Sequence, residues 1–318
     1  MFNLFKKKTP LLTQDPITCF GKLPCHHEFI KPKISSSKMI SLDNWYQQSY
    51  SELNQAFGLT GKDLLKHMPT YHFLFSDLKP MVGSVCASCD ASGRPYPFII
   101  IRILENPLAQ EFITTVPLFY ENYFHGIEQF FQTIGSYKNS DDVDQNLSYL
   151  ANISCDSKKR IALEKVLTTL KNTSLDDYWQ HIDAHTIKID INTFFSQLVQ
   201  TFKQPLPLGV RLPLPNKINP LPFVTFYLQL IEIFLPLTML NWQAYWQQAN
   251  DIQNAQMLFT SQPLPHQDWQ YLLTHPSAQN ISDPLSTVIK SDARIISSQP
   301  NLSLYDAIQI FARSKDKT

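Results

Sequence analysis

Glycine is scarce in this chain of 318 residues, with 8 against 22 prolines. Neither GxxxxGK[ST] nor GxGxxG occurs, which excludes the usual glycine-rich phosphate loops. A surplus of one charge is lacking too: 27 Lys and Arg balance 27 Asp and Glu. A general nucleic-acid binder would carry a basic excess, so that class is excluded. Charged residues of either sign make up 17%, and Ser, Thr, Asn and Gln must therefore supply much of the surface. The five cysteines, Cys19, Cys25, Cys86, Cys89 and Cys155, are odd in number and have no framework spacing. Reduced thiols in a cytoplasmic protein are the expectation. A secretory signal is not expected, because Phe2, Leu4 and Phe5 precede Lys6, Lys7 and Lys8, the reverse of the required order. That start allows weak contact with a membrane surface, although a disordered tail over 1–14 is the simpler expectation. The most apolar window, Phe223 to Leu240, is interrupted by Gln229, Glu232 and Pro236, which argues against a membrane span.

What is present is core-forming material: 43% hydrophobic and 12% aromatic residues, enough for one large domain or two small ones. Ile17 to Leu23 reads as a strand broken by Gly21 and Pro24. Leu42, Trp45, Tyr46, Ser49, Leu53, Ala56 and Phe57 recur at helical spacing after a Ser41 cap, with a stop at Gly58. Thr70 to Ser76, Met81 to Cys89 and Tyr96 to Leu104 read as strands of an antiparallel meander. Phe112 to Ile134 reads as one aromatic helix. Helices follow at 140–150, 157–170, 174–181 and 190–202. The proline-rich 204–222 reads as an edge strand in a loop-rich crossing. A core helix to Phe234, a strand from Leu237 to Trp242, a strand from Ala255 to Thr260 and a helix through Trp269 complete the main body. The fold class expected is α/β, a largely antiparallel sheet flanked by helices. The organisation expected is one α/β region over 15–275, divisible near 140, a polar linker over 276–300, and a closing amphipathic helix within 301–318.

The stretch around which the rest is organised is Ala87 to Pro97, Ala-Ser-Cys-Asp-Ala-Ser-Gly-Arg-Pro-Tyr-Pro. Asp90, Ser92 and Gly93 are turn formers between two β-runs, so this is a hairpin. On physical grounds alone, Asp90 and Arg94 form an exposed ion pair across its tip. A second polar stretch, Lys22-Leu23-Pro24-Cys25-His26-His27-Glu28, lies in the loop after the first strand. His26, His27 and Glu28 offer acid–base groups, and Cys25, Cys86 and Cys89 offer thiols. A hydrolase or metal enzyme built on them is the alternative reading. A strand through Cys86 and Cys89 would point the two thiols to opposite faces, so neither a zinc knuckle nor a redox pair is expected.

Several stretches together resemble the TagF/ImpM family of type VI secretion accessory proteins. They are Phe20-Gly21-Lys22-Leu23-Pro24 with His27-Glu28-Phe29, the Trp45 helix, Pro69-Thr70-Tyr71-His72-Phe73, the Asp90-Ala91-Ser92-Gly93-Arg94-Pro95-Tyr96-Pro97 signature, and Asn241-Trp242 with Leu264-Pro265. His27-Glu28 stands where the family has Gly-Asp, and Ala91 replaces a family residue. The resemblance implies an α/β regulator of secretion that acts after translation by binding, in some systems, the forkhead-associated scaffold protein. It implies no catalysis, cofactor or metal. It also implies that Lys22, His27, Glu28, Asp90 and Arg94 face a partner, with Gly21, Pro24, Gly93 and Pro97 shaping the turns. The two loops are therefore expected together at one end of the sheet.

Overall fold

The computed structural model describes residues 15–33, 37–77, 79–153, 159–181, 209–235, 237, 240–249, 254–266, 269, 281–282 and 302–315. The N-terminal tail over 1–14 and the expected helix over 190–202 lie outside them.

Among the described residues eight strands form one sheet: β1 (Ile17–Gly21), β2 (Tyr71–Phe75), β3 (Met81–Cys86), β4 (Phe98–Ile103), β5 (Gly209–Pro213), β6 (Gln243–Gln247), β7 (Gln256–Thr260) and β8 (Ile281–Ser282). Their order is β1-β4-β3-β2-β6-β7-β5-β8, with every pair antiparallel except β5 and β8. The sheet runs unbroken across position 140, because β2 pairs directly with β6.

Both sheet faces are covered, which explains why β4 is an apolar run rather than an alternating one. Phe98 and Ile100 enter one core with Leu74, Val82, Trp246 and Phe259. Ile99, Ile101 and Ile103 enter the other with Phe73, Val85, Tyr245 and Leu258. The second face is covered by α1 (Ser37–Lys66), which buries Met39, Tyr46 and Leu53. Trp45 donates its indole N–H to the Leu264 carbonyl at 2.7 Å. The helix begins before the expected Ser41 cap, and Gly58 (φ 54°) breaks it without ending it. Ala56 and Phe57, just before that kink, are exposed, while Leu65 beyond it is buried in the same core.

The first face carries the other helices of the described residues: α2 (Pro107–Glu111), α3 (Val116–Phe119), α4 (Glu121–Thr133), α5 (Ser140–Asn152), α6 (Lys159–Asn172), α7 (Leu175–His181), α8 (Leu221–Phe234) and α9 (Leu304–Lys315). The single aromatic helix expected over 112–134 is divided, with a 3-10 turn at Ile113–Thr115 and a break at Tyr120 before α4. Asn139 caps α5 by accepting from the Asp142 N–H at 3.1 Å, and Asp141 and Asp142 suit the positive end of that helix. α8 is apolar nearly all round because the sheet and other helices enclose it. Its interrupting polar residue Glu232 sits on the open side, accepting from the Thr114 hydroxyl at 2.9 Å. No described helix is long and apolar enough to cross a membrane. In α9, Ser303 accepts from the Asp306 N–H at 3.1 Å, and Leu304, Ala307, Ile308 and Phe311 are buried in the main core.

Three strands differ from expectation. The strand after α8 is Gln243–Gln247, not Leu237 to Trp242: ahead of the ladder, the Ser76 hydroxyl donates to the Leu240 and Trp242 carbonyls, and the Ser76 N–H also donates to the Trp242 carbonyl at 3.0 Å. β5 is not an edge strand: Ile281–Ser282, inside the expected linker, pairs in parallel on its outer side. β3 stops at Cys86, and Cys89 lies beyond it in an isolated bridge with Pro95.

Gly21 is not a strand breaker but the last residue of β1, at φ 122°. An added Cβ would lie 2.2 Å from the Pro97 carbonyl oxygen. Gly21→Ala combines a left-handed backbone with a clash against main chain, and is expected to destabilise the protein by about 2–4 kcal/mol. Chemical denaturation checks this; a loss below about 1 kcal/mol would mean that the β1–β4 junction can part freely.

Candidate functional site

Antiparallel pairing brings the end of β1, the end of β3 and the start of β4 to one edge of the sheet, with Gly21 opposite Phe98 and Cys86 opposite Phe98. The loop after β1 and the β3–β4 hairpin therefore leave from the same end. The hairpin tip is closed by main chain: Gly93 N–H donates to the Asp90 carbonyl at 2.8 Å, and Asp90 N–H to the Arg94 carbonyl at 3.1 Å. Gly93 supplies the positive φ of 75° that this closure needs.

Direct bonds join the two loops. The Ala91 N–H donates to the His26 carbonyl at 2.9 Å. The Ser88 hydroxyl donates to the Lys22 carbonyl at 2.7 Å. A β1 bridge fixes the far side of the loop, where Gly21 and Ile30 exchange both main-chain bonds. Phe29 packs edge-on against Tyr96 at 5.1 Å between centroids, and Tyr96 packs against Tyr50 of α1 at 5.0 Å. Underneath, α5 holds the loop from behind, with Lys33 Nζ 2.6 Å from Asp144 Oδ1.

The hub of this arrangement is Asp90. The expected exposed ion pair is corrected here: the Asp90 side chain is 0% exposed, while Arg94 is 65% exposed. Oδ1 accepts from the Ser92 and Arg94 N–H groups, both at 3.0 Å. Oδ2 accepts from Arg94 Nε at 2.7 Å and lies 3.0 Å from Lys22 Nζ. Burial alone would raise the carboxyl pKa. The Arg94 main-chain N–H, then the Lys22 and Arg94 side chains, outweigh it and hold the group well below the usual carboxylate range. The pairing is dictated by turn geometry: an Asp at the first turn position folds back over the N–H groups that follow it, and this turn faces inward against Lys22.

Around that buried anion the surface is open. His27, Glu28, Ser92, Gly93 and Arg94 are exposed, and Arg94 also donates through Nη2 to the His27 carbonyl at 3.4 Å. Lys22 is held inside rather than presented, with a side chain 19% exposed. Pro24 sits in the turn closed by the His26 N–H and the Leu23 carbonyl at 2.9 Å. Pro97 is buried against Gly21.

The catalytic alternative gains nothing from this geometry. His27 and Glu28 point to solvent on a loop tip, and no activated nucleophile lies beside them among the described residues. Nor do three or more His, Cys, Asp or Glu side chains gather into a metal-holding group among the described residues. Cys25 donates to the Asn139 carbonyl at 3.8 Å, and burial pushes the Cys86 thiol well up, away from thiolate chemistry.

A second cluster escaped the sequence reading. His72, buried in β2, has Nδ1 2.6 Å from Ser84 Oγ and Nε2 3.0 Å from Glu128 Oε1. Its only sequence signal was a histidine in an aromatic strand. The cross-strand register that sets His72 opposite Ser84 cannot be read from composition.

A mixed α/β protein with a sheet buried on both faces and a fixed two-loop platform at one end is the class these features define. Residues 18–151 match the model of the TagF N-terminal domain family, type VI secretion system-associated, and this span holds both loops. Among curated proteins no match is found. The crystal structure of PA0076 from Pseudomonas aeruginosa PAO1 is similar in fold, with a TM-score of 0.50 and 12% sequence identity. The alignment covers 83% of this chain and 96% of that one, and it speaks to the fold alone.

Proposed function

We propose that this chain is a cytoplasmic, post-translational regulator of type VI secretion that acts by binding another secretion component, without catalysis. The observation that carries the reading is the platform itself. A buried carboxylate locks two sequence-distant loops together and leaves Arg94, His27 and Glu28 facing solvent on a preorganised surface. Preorganisation of this kind lowers the ordering cost of association. The matched TagF domain supplies the secretion context. The forkhead-associated scaffold protein is the partner that the family resemblance suggests, with Arg94 as the anchor and His27 and Glu28 beside it.

Arg94→Ala separates recognition from turn stability. Asp90 keeps Lys22 and its two main-chain N–H donors in that variant, since those bonds do not need the guanidinium. The melting temperature is expected to move by less than about 3 °C, as for an exposed ion pair. Capture of secretion proteins by the tagged chain from its native cytoplasm, read by mass spectrometry, is expected to fall about tenfold or more. Unchanged capture at native salt would return Arg94 to a purely structural role.

A further inference from the structure

We infer that the cleft beside Glu128 is a binding site for a guanidinium or alkylammonium group. The cleft has a volume of about 380 Å³ and opens between the start of β2, the end of β3, α4 and the residues after β6. Its apolar walls include Met68, Cys86, Ala87 and Phe131, and its polar groups include His72, Glu128 and Gln248. No Lys or Arg lines it among the described residues.

The charge accounting points to a cation. The Ser84 hydroxyl is fully buried, and its hydrogen bond runs to His72 Nδ1. With the hydroxyl donating, the ring proton sits on Nε2 and is given to Glu128 Oε1. Gln248 Nε2 donates to the same oxygen at 2.8 Å. Among the described residues Oε2 receives only His125, at 3.3 Å, which leaves it an acceptor direction. Burial works against ionisation of Glu128, but the bonds from His72 and His125 outweigh it and hold the carboxyl below its usual pKa. The side chain is 25% exposed, so the anion is both fixed and reachable. An ionised carboxylate on the wall of a recess that is about half apolar, with no Lys or Arg lining it among the described residues, selects a cation that also carries apolar surface. Phe131 and Met68 suit the faces of a guanidinium or the stem of an amine.

The same geometry speaks against a hydrolytic role for the Ser84–His72–Glu128 chain. Ser84 is 0% exposed and does not line the cleft, so its oxygen cannot reach a carbonyl there. Glu128 is the accessible end of the chain, and His72 positions it.

The site is separate from the solvent-facing residues of the partner-binding platform, because His27, Glu28 and Arg94 do not line the cleft. The test is isothermal titration of the full chain with Nα-acetylarginine amide, with a capped Gly-Gly-Arg-Gly-Gly peptide, and with the citrulline counterpart of each. Citrulline keeps the shape and removes the charge. At least one arginine probe is expected to bind at least about tenfold more tightly than its citrulline counterpart, and Glu128→Gln is expected to erase that difference. Glu128→Gln retains an acceptor for His72 and Gln248, and its melting curve reports whether the fold holds. Gln132→Lys, at an exposed rim position, places a competing cation at the cleft and is expected to weaken the arginine probe without touching the core. Binding of the single amino-acid derivative would identify a small-molecule ligand, and binding of the peptide alone would identify a segment of another chain. No saturable binding of either arginine probe, equal binding of arginine and citrulline, or full affinity in both folded variants would overturn the site.

Discussion

Asp90→Ala is expected to unlock both loops at once and to abolish partner capture. Removal of the carboxylate leaves the Ser92 and Arg94 N–H groups without their acceptor, and leaves Lys22 partly buried without its counter-charge. Each of these is a named cause of large mutational effects. The melting temperature is expected to fall by more than about 5 °C. Amide exchange should accelerate through 22–30 and 88–96 together, because the Ala91–His26 and Ser88–Lys22 bonds depend on the closed tip. Asp90→Asn should fall between wild type and Asp90→Ala, since an amide oxygen still serves the two N–H groups but not Lys22. Exchange that quickens in the hairpin alone would show that the loops are neighbours without being coupled.

The acid side of this prediction has a definite sign. The Asp90 carboxyl is held below its unfolded pKa, so the folded state binds fewer protons than the unfolded state as acid is added. Its contribution is fully present above the ordinary carboxylate pKa of about 4 and is lost as pH falls through the depressed folded value. The stability difference between wild type and Asp90→Asn should therefore be constant from neutral pH to about pH 5 and should shrink below about pH 4. A difference that instead grows in acid would contradict the charge-assisted network.

How much of this was legible in the sequence depends on the range of the interactions. The hairpin at Ala87 to Pro97 could be read because its turn residues act locally. The strands could be read because β-runs such as Phe98-Ile99-Ile100-Ile101 declare burial on both faces. The proximity of the two loops was expected because both follow strands and both hold family-like polar residues, and it is the β1–β4 pairing that brings them together. What could not be read was which way a side chain turns at the tip. Asp90 was expected outside because an aspartate in a turn usually is, and only the position of Lys22 below it makes burial favourable. The same limit explains the strand near Trp242. Apolar content marks Leu237 to Trp242 as core, but the ladder starts at Gln243 because β2 ends there, at the Phe75–Gln243 pair. The Ser84–His72–Glu128 chain joins three elements and leaves no local trace. Arg102 belongs with it: a lone arginine ending an isoleucine run gives no sign that it is 1% exposed.

Arg102 carries the second large effect expected. It stands in β4 between Val82 of β3 and Ile17 of β1, inside the core. Its guanidinium donates to the Leu150 and Ile153 carbonyls at the end of α5, where cations are favoured, and the Leu150 carbonyl also accepts from the Ile153 N–H at 3.2 Å. The Tyr123 ring lies 4.3 Å from the guanidinium carbon, which adds a cation–π contact in a desolvated setting. Arg102→Ala opens a cavity, removes the guanidinium from the Ile153 carbonyl and leaves the Leu150 carbonyl with only the Ile153 N–H, so a loss of about 3–5 kcal/mol is expected, read by chemical denaturation. Arg102→Met fills most of the volume and isolates the polar part, and it should recover some of the loss but not all. The consequence extends to the platform, because α5 also carries Asp144, which pairs with Lys33, and follows Asn139, which accepts from Cys25. Amide exchange through 22–33 should therefore rise in Arg102→Ala although no residue of that loop is changed. A variant as stable as wild type, or one that is destabilised while the loop stays protected, would show that α5 and the platform are held independently.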